Sequence, residues 1–119
     1  MKIIERSVGD YGDPNRVIIL DIYGSIDAET SQNIRESVEK WFETNNVLLN
    51  FVSVPYMDSI AVVDLDKLLE TVKKHGGKLK LMGISRKLRN LAILMHLAEV
   101  FETFDIEDEA VASFRAQAA

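Results

Sequence analysis

Cysteine is absent from the 119 residues. Thiol catalysis, thiolate zinc sites and disulfide frameworks are therefore excluded, and the composition fits a reducing compartment. Proline occurs twice and glycine six times, with no low-complexity linker and no internal repeat. No apolar stretch approaches the ~18 residues of a membrane span. The opening MKIIERSVGD is broken by charge too early for a signal peptide. The expectation is a soluble, cytoplasmic protein without membrane insertion. Positive charge is in deficit: 14 Lys and Arg stand against 19 Asp and Glu, a net charge of -5. That balance argues against nucleic acid or an anionic membrane as partner, since both call for a basic face.

Phosphate-loop and metal signatures are missing too. Gly24 and Gly76-Gly77 stand outside the G-x-G-x-x-G and Walker spacings. His75 and His96 are not at metal-ligand spacing. His75 lies beside a helix stop, where a cation suits the C-terminal dipole. His96 ends an apolar helix and reads as an edge residue. The expectation is no cofactor and no metal.

What is present is a globular chain, 47% hydrophobic and 28% charged, of a length that makes one domain with an adequate core. Lys2 to Arg6 reads as a strand, Gly9 to Asn15 as a hairpin loop and Val17 to Tyr23 as a second strand with one face more buried. Asp27 is a helix N-cap candidate with Glu29 behind it. Ile34, Val38, Trp41 and Phe42 share one helical face, and Asn45-Asn46 ends the helix. Val47 to Val52 is a nearly continuous apolar run, suited to a central strand covered on both faces. Ile60 to Lys74 is a helix burying Leu65, Leu68, Leu69 and Val72, stopped by Gly76-Gly77. Lys78 to Met82 is a strand, and Ser85 can cap a helix carrying Leu88, Leu91, Ala92 and Met95. Thr103 to Asp105 reads as a short last strand and Glu107 to Arg115 as a terminal helix presenting Ala110, Val111 and Phe114. The core spans about residues 3–114, with 115–119 a frayed tail. This alternation predicts an α/β fold, a mixed, mostly parallel sheet of four to five strands with about four helices.

One loop stands out: Val54-Pro55-Tyr56-Met57-Asp58-Ser59, between the apolar strand and the long helix. The plain reading makes Asp58 or Ser59 an N-cap. Serine catalysis finds no G-x-S-x-G elbow and no paired base. A phospho-aspartate receiver finds no acidic pair after the early strands, and the strand from Val47 reaches Asn50-Phe51 where an acceptor Asp would stand.

Three segments together resemble the STAS-domain family, specifically the bacterial anti-sigma factor antagonists of the SpoIIAA type. Ile22-Tyr23-Gly24-Ser25-Ile26-Asp27-Ala28 is similar to the family's G-x-hydrophobic-D turn into the first helix. Val47-Leu48-Leu49-Asn50-Phe51 followed by Tyr56-Met57-Asp58-Ser59 is similar to its apolar strand and aromatic-hydrophobic-Asp-Ser stretch. His75-Gly76-Gly77-Lys78-Leu79-Lys80-Leu81-Met82 matches its G-G-x-L-x-L strand, and Leu97 to Asp105 its closing segment. The resemblance implies a single STAS-like domain that is not an enzyme. It places on Ser59 the serine phosphorylated by a partner anti-sigma factor that is also a serine kinase. It places partner binding on Gly24, Ser25, Asp27, Met57, Asp58, Ile60 and Ala61. It also implies partner switching: the unphosphorylated protein binds the kinase, phosphorylation breaks the complex, and a serine phosphatase restores it. The expected state is a monomer or weak dimer.

The alternative is a constitutive STAS scaffold, or a subunit of a transport or sensor complex, in which Ser59 is only a helix cap. Ala61 and Val63 stand where the family commonly has glycine, and Asn50 where it commonly has Asp. Met57, Ser59, Ile60 and the Gly24 to Asp27 turn are expected to form one exposed patch. Asp27, Asp58, Asp64 and Asp66 are expected near one loop. Arg86, Lys87 and Arg89 oppose the dipole of the helix they open; they read either as a solvated face or as a partner contact.

Overall fold

Two strands rich in Val, Ile and Leu make the centre, because such residues pack on a pleated surface buried from both sides. The computed structural model describes residues 1–41, 46–95 and 102–116. The chain runs β1 (Lys2–Val8), β2 (Val17–Tyr23), α1 (Ser31–Glu39), β3 (Asn46–Ser53), α2 (Ser59–Lys74), β4 (Lys78–Met82), α3 (Arg86–Leu94), β5 (Thr103–Phe104) and α4 (Glu107–Ala116). The five strands form one sheet in the order β1-β2-β3-β4-β5. β1 pairs antiparallel with β2, and every later pair is parallel. The α/β class, the strand number and the mixed sheet expected from the sequence are all found, and β3 is the central strand.

One face of the sheet presents Ile18, Leu20, Ile22, Val47, Leu49, Phe51, Leu79 and Leu81 to the buried sides of α1 and α2 and to Leu88 of α3. The other presents Val17, Ile19, Leu48 and Met82 to Ala110, Val111 and Phe114 of α4. β2 was expected to bury one face more than the other. Instead Val17 to Ile22 are all buried, because α4 returns from the far end of the chain to cover the second side.

Boundaries moved in several places. α1 ends at Glu39 and is capped at Lys40, short of the expected stop at Asn45-Asn46. Asn46 instead opens β3, and its Nδ2 donates to the Pro14 and Arg16 carbonyls at 3.0 and 3.2 Å, fastening the hairpin loop. Trp41 packs against the core from a half-buried position. Phe42, Asn45, His96 and the Leu97 to Phe101 part of the closing segment lie outside the described residues. α4 includes Arg115 and Ala116, which were expected to fray; 117–119 lie outside the described residues. The α2 stop and the α3 cap are as expected: Gly76 adopts φ 79°, Gly77 N–H donates to the Val72 carbonyl at 3.0 Å, and Ser85 Oγ accepts from Leu88 N–H at 3.1 Å.

Among the described residues three polar ones are buried, Asp21, Asn46 and Lys80, and each has partners, as burial requires. Lys80 donates to Ser113 Oγ and pairs with Glu102, both at 3.0 Å. Its ammonium stands 4.8 Å from the Phe114 ring centroid. Asp21 takes a bidentate pair from Arg6, which also reaches Glu107 Oε1 at 2.6 Å. Asn50 Nδ2 donates to Asp21 Oδ1 at 2.8 Å. One polar chain thus ties β1, β2, β3 and α4.

Hydrogen bonds from Arg6 hold the Asp21 carboxyl below the usual carboxylate range, against its partial burial, with help from Asn50. A carboxyl lowered in the folded state stabilises the fold above its unfolded pKa, about 3.9, and loses that contribution as pH falls through the lower folded value. Arg6 keeps 40% of its side-chain exposure, so the cost of Asp21→Asn is set near about 1–2 kcal/mol at neutral pH. Denaturant titrations at neutral and at acid pH are expected to show the deficit at neutral pH and its disappearance in acid.

Gly83 joins β4 to the turn before α3 with φ +71°; a Cβ there would overlap Val52 Cγ2 and stand 2.9 Å from the Val52 nitrogen. Gly83→Ala is expected to destabilise by about 1–3 kcal/mol, read as a lower denaturation midpoint at unchanged slope.

Candidate functional site

β2 and β3 run parallel, so the loops after them leave the same end of the sheet. The pairing shifts register between Asp21 and Tyr23, where Tyr23 comes to face Ser53. Beyond the strands the two loops stay zipped. Gly24 N–H donates to the Ser53 carbonyl at 3.2 Å, Ile26 N–H to the Tyr56 carbonyl at 2.9 Å and Asp58 N–H to the Ile26 carbonyl at 3.1 Å. Ile26 and Met57 form an isolated parallel bridge. Gly24 makes the departure with φ 110°, a conformation glycine adopts without strain.

This zipper sends Ile26 and Met57 inward and Asp27 and Asp58 to the openings of two helical turns. Asp27 Oδ1 accepts from Thr30 N–H at 2.8 Å, while Thr30 Oγ1 accepts from Asp27 N–H at 2.9 Å. That reciprocity has the form of a capping box on the turn before α1; the N-cap of α1 itself is Thr30 rather than the expected Asp27, so Glu29 lies ahead of the helix and not in its first turn. Asp27 is exposed, and the Thr30 backbone and hydroxyl hydrogen bonds hold its carboxyl below the usual range. Asp58 is the N-cap of α2, and its Oδ1 accepts from Ala61 N–H at 2.8 Å.

Ser59 is the first residue of α2 and is exposed. Among the described residues its hydroxyl makes no hydrogen bond. The cap that either Asp58 or Ser59 was expected to supply comes from Asp58, because its carboxylate reaches Ala61 N–H. Ile60 beside it is 59% exposed, Ser25 and Asp27 are exposed, and Gly24 and Asp58 are half-buried.

Two expected patch members are not on the surface: Met57 is 6% exposed, and Ile26 of the Gly24 to Asp27 turn is 0%. Ala61, expected among the partner-binding residues, is 0% exposed as well. The bridge to Ile26 turns Met57 into the core, and Ala61 lies on the sheet-facing side of α2. The expected acidic cluster also disperses. Asp64 Oδ2 accepts from Ser31 Oγ at 2.8 Å and ties α1 to α2. Asp66 lies about 12 Å from Asp58 along the helix axis, with its carboxyl raised by burial and then by the charge of Glu70. Asn50 is half-buried with both amide atoms committed, its Nδ2 donating to Asp21 Oδ1 and its Oδ1 accepting from Val52 N–H.

A groove adjoins Ser59 that sequence reasoning did not assemble. It has a volume of about 810 Å³ and lies between the Pro55 to Ser59 loop and α3. Tyr56, Leu88 and Leu91 line it, with Leu94 78% exposed at one end and Arg86 and Lys87 at the other. The one signal in the sequence was the basic first turn of α3.

The sequence profile of the STAS domain matches residues 12–110. The chain belongs to the STAS-domain family. Among solved structures, a candidate anti-sigma factor antagonist from Thermotoga maritima is 20% identical to this STAS domain, covering 95% of this chain and 94% of its own, with TM-score 0.79. The phosphorylated form of the Bacillus cell fate determinant SpoIIAA is 16% identical over 94% of this chain and 98% of its own, with TM-score 0.68. A sulfate transporter family protein from Wolinella succinogenes is 24% identical over 86% and 87%, with TM-score 0.74. At these identities the likeness is one of fold. The STAS assignment agrees with the resemblance read from the sequence, and the neighbours include both antagonist-type and transporter-type domains. Among the described residues of this STAS domain no helix is long and apolar enough to cross a membrane, and no group of three or more His, Asp or Glu could hold a metal ion.

The division of labour between the two loop residues is directly measurable. Asp58→Ala is expected to cost about 1 kcal/mol through loss of the α2 cap. Ser59→Ala is expected to stay within about 0.5 kcal/mol of the parent. Paired thermal or denaturant melts check both, and an inverted ranking would put the cap on Ser59.

Proposed function

We propose that this STAS domain is an anti-sigma factor antagonist-type switch protein, controlled by reversible phosphorylation of Ser59. One observation carries the reading. Ser59 offers an exposed hydroxyl at the first position of α2, unengaged among the described residues, while the neighbouring Asp58 does the capping. The partner is an anti-sigma factor that is also a serine kinase and brings ATP and magnesium. In the transfer the Ser59 Oγ–P bond forms as the bond between the γ-phosphorus and its bridging oxygen breaks. The hydroxyl proton leaves to the kinase's base, and ADP departs. A serine phosphatase hydrolyses the ester and resets the switch. The domain acts as substrate and binding partner rather than as enzyme, in the cytoplasm, as a monomer or weak dimer.

The contact surface is the exposed part of the two zipped loops: Ser25, Asp27, Ser59 and Ile60, with Gly24 and Asp58 at its edge. Met57 and Ala61 shape that surface from beneath. Phosphoserine adds about -1.5 to -2 charges at neutral pH. A helix N-terminus tolerates that charge, whereas a partner fitted to the unmodified loop, beside the carboxylates of Asp27 and Asp58, does not.

The Wolinella match favours a second reading, a constitutive STAS subunit of a transport or sensor assembly, in which Ser59 carries no phosphate. Mass mapping of protein taken from its native cells separates the two, with a phosphate on the peptide containing Ser59 expected under the switch reading. A Ser59→Asp variant is expected to bind the kinase partner at least about tenfold more weakly, a loss near 1.4 kcal/mol. Binding as tight as that of the parent protein would count against the switch.

A further inference from the structure

We propose that Arg86 and Lys87 receive the phosphate of phosphorylated Ser59, so that modification draws an ion pair across the mouth of the groove between the Pro55 to Ser59 loop and α3. The inference rests on the Ser59 reading and adds what the phosphate binds once it is there. Ser59, Arg86 and Lys87 line one continuous groove. Lys87 Nζ stands 5.9 Å from the Tyr56 ring centroid, so its charge already lies over the loop that carries Ser59. No carboxylate residue lines the groove among the described residues.

Neither cation has a carboxylate partner among the described residues, whereas Arg89 in the same turn is 3.9 Å from Asp105. Arg86 and Lys87 occupy the first two positions of α3, where the helix dipole disfavours positive charge. They are uncompensated on a protein of net charge -5. A dianion on Ser59 reverses that balance: a guanidinium can hold phosphate oxygens bidentately, and an ammonium adds a point charge. Asp58, on the same loop, is the one described carboxylate adjoining Ser59 in sequence, and it opposes the dianion; two cations outweigh it.

The consequence is conformational as well as electrostatic. In the unmodified protein the apolar floor of the groove, with Met57, Leu88 and Leu91, is open to a partner. In the modified protein a phosphate bridged to α3 covers its mouth and withdraws both cations from any partner that used them. Phosphorylation then acts on two surfaces at once, the zipped loops and the groove.

The test uses the full chain with phosphoserine installed at position 59 by genetic code expansion, followed by ³¹P NMR through the second phosphate ionisation, ordinarily near about 6. The expected result is a midpoint lower by roughly half a unit or more than in the same protein carrying Arg86→Gln and Lys87→Gln, with the gap shrinking at high salt. Lys87→Arg is expected to keep the lower midpoint. Equal midpoints with and without the two cations would overturn the latch. Because the phosphate is installed directly, absence of phosphate on Ser59 in native cells counts against the proposed function, and equal midpoints count against the latch alone.

Discussion

Parallel pairing of β2 with β3, Ile18 beside Val47 through Asp21 beside Asn50, obliges the loops after both strands to leave from one end of the sheet. The rest of the site follows from that constraint. The register shift beyond Asp21 lets the backbone groups of 24–26 and 53–58 meet after the strands have ended. Those bonds leave alternate residues inside and outside: Ile26 and Met57 enter the core, and Asp27 and Asp58 fall at the openings of helical turns. The acidic positions of the loops are therefore set by strand register, and each carboxylate is held by the backbone it caps.

The same pairing explains a departure from the family pattern. Asn50 sits directly beside Asp21, and its amide donates to that carboxylate. An aspartate at position 50 would place two carboxylates together in a sheet covered on both faces, where like charges at hydrogen-bond distance cannot both remain ionised cheaply. The amide removes the repulsion and supplies the donor. Arg6 completes the neutralisation from the edge strand and carries it to Glu107 of α4. Asn50 is thus part of the polar frame that joins β1, β2, β3 and α4.

Much of this was legible in the sequence because its causes are local. Helix caps announce themselves within three residues, so Asp58 and Ser85 could be picked out; Asp27 instead caps the turn before α1, whose own N-cap is Thr30. The Gly76-Gly77 stop and the apolar run of β3 are equally short-range signals. The features misread or missed are those whose cause lies far along the chain. β2 buries both faces because α4, some ninety residues later, covers Val17 and Ile19. Met57 looked like a surface residue of a loop until its bridge to Ile26 turned it inward. Ala61 stands where a glycine would admit a partner's backbone, yet it faces the core. The groove needs α3 to lie against the 55–59 loop, and no periodicity in either segment reports that.

The neighbouring roles of Asp58 and Ser59 bear on how such a domain could be modified without coming apart. Had Ser59 been the cap, its oxygen would be committed to an N–H of the first turn, and esterification would disturb the bond that starts α2. With Asp58 in that role, the helix keeps its start whatever happens one residue later. The first-turn N–H groups and the dipole also favour negative charge at that place. The free energy of a phosphate there is then set by the charges around it, without breaking the bond that starts α2. Sequence adjacency of a capping carboxylate and an uncommitted hydroxyl is what separates the two, and it depends on the register of β2 and β3 that brings Asp58 to the head of the helix.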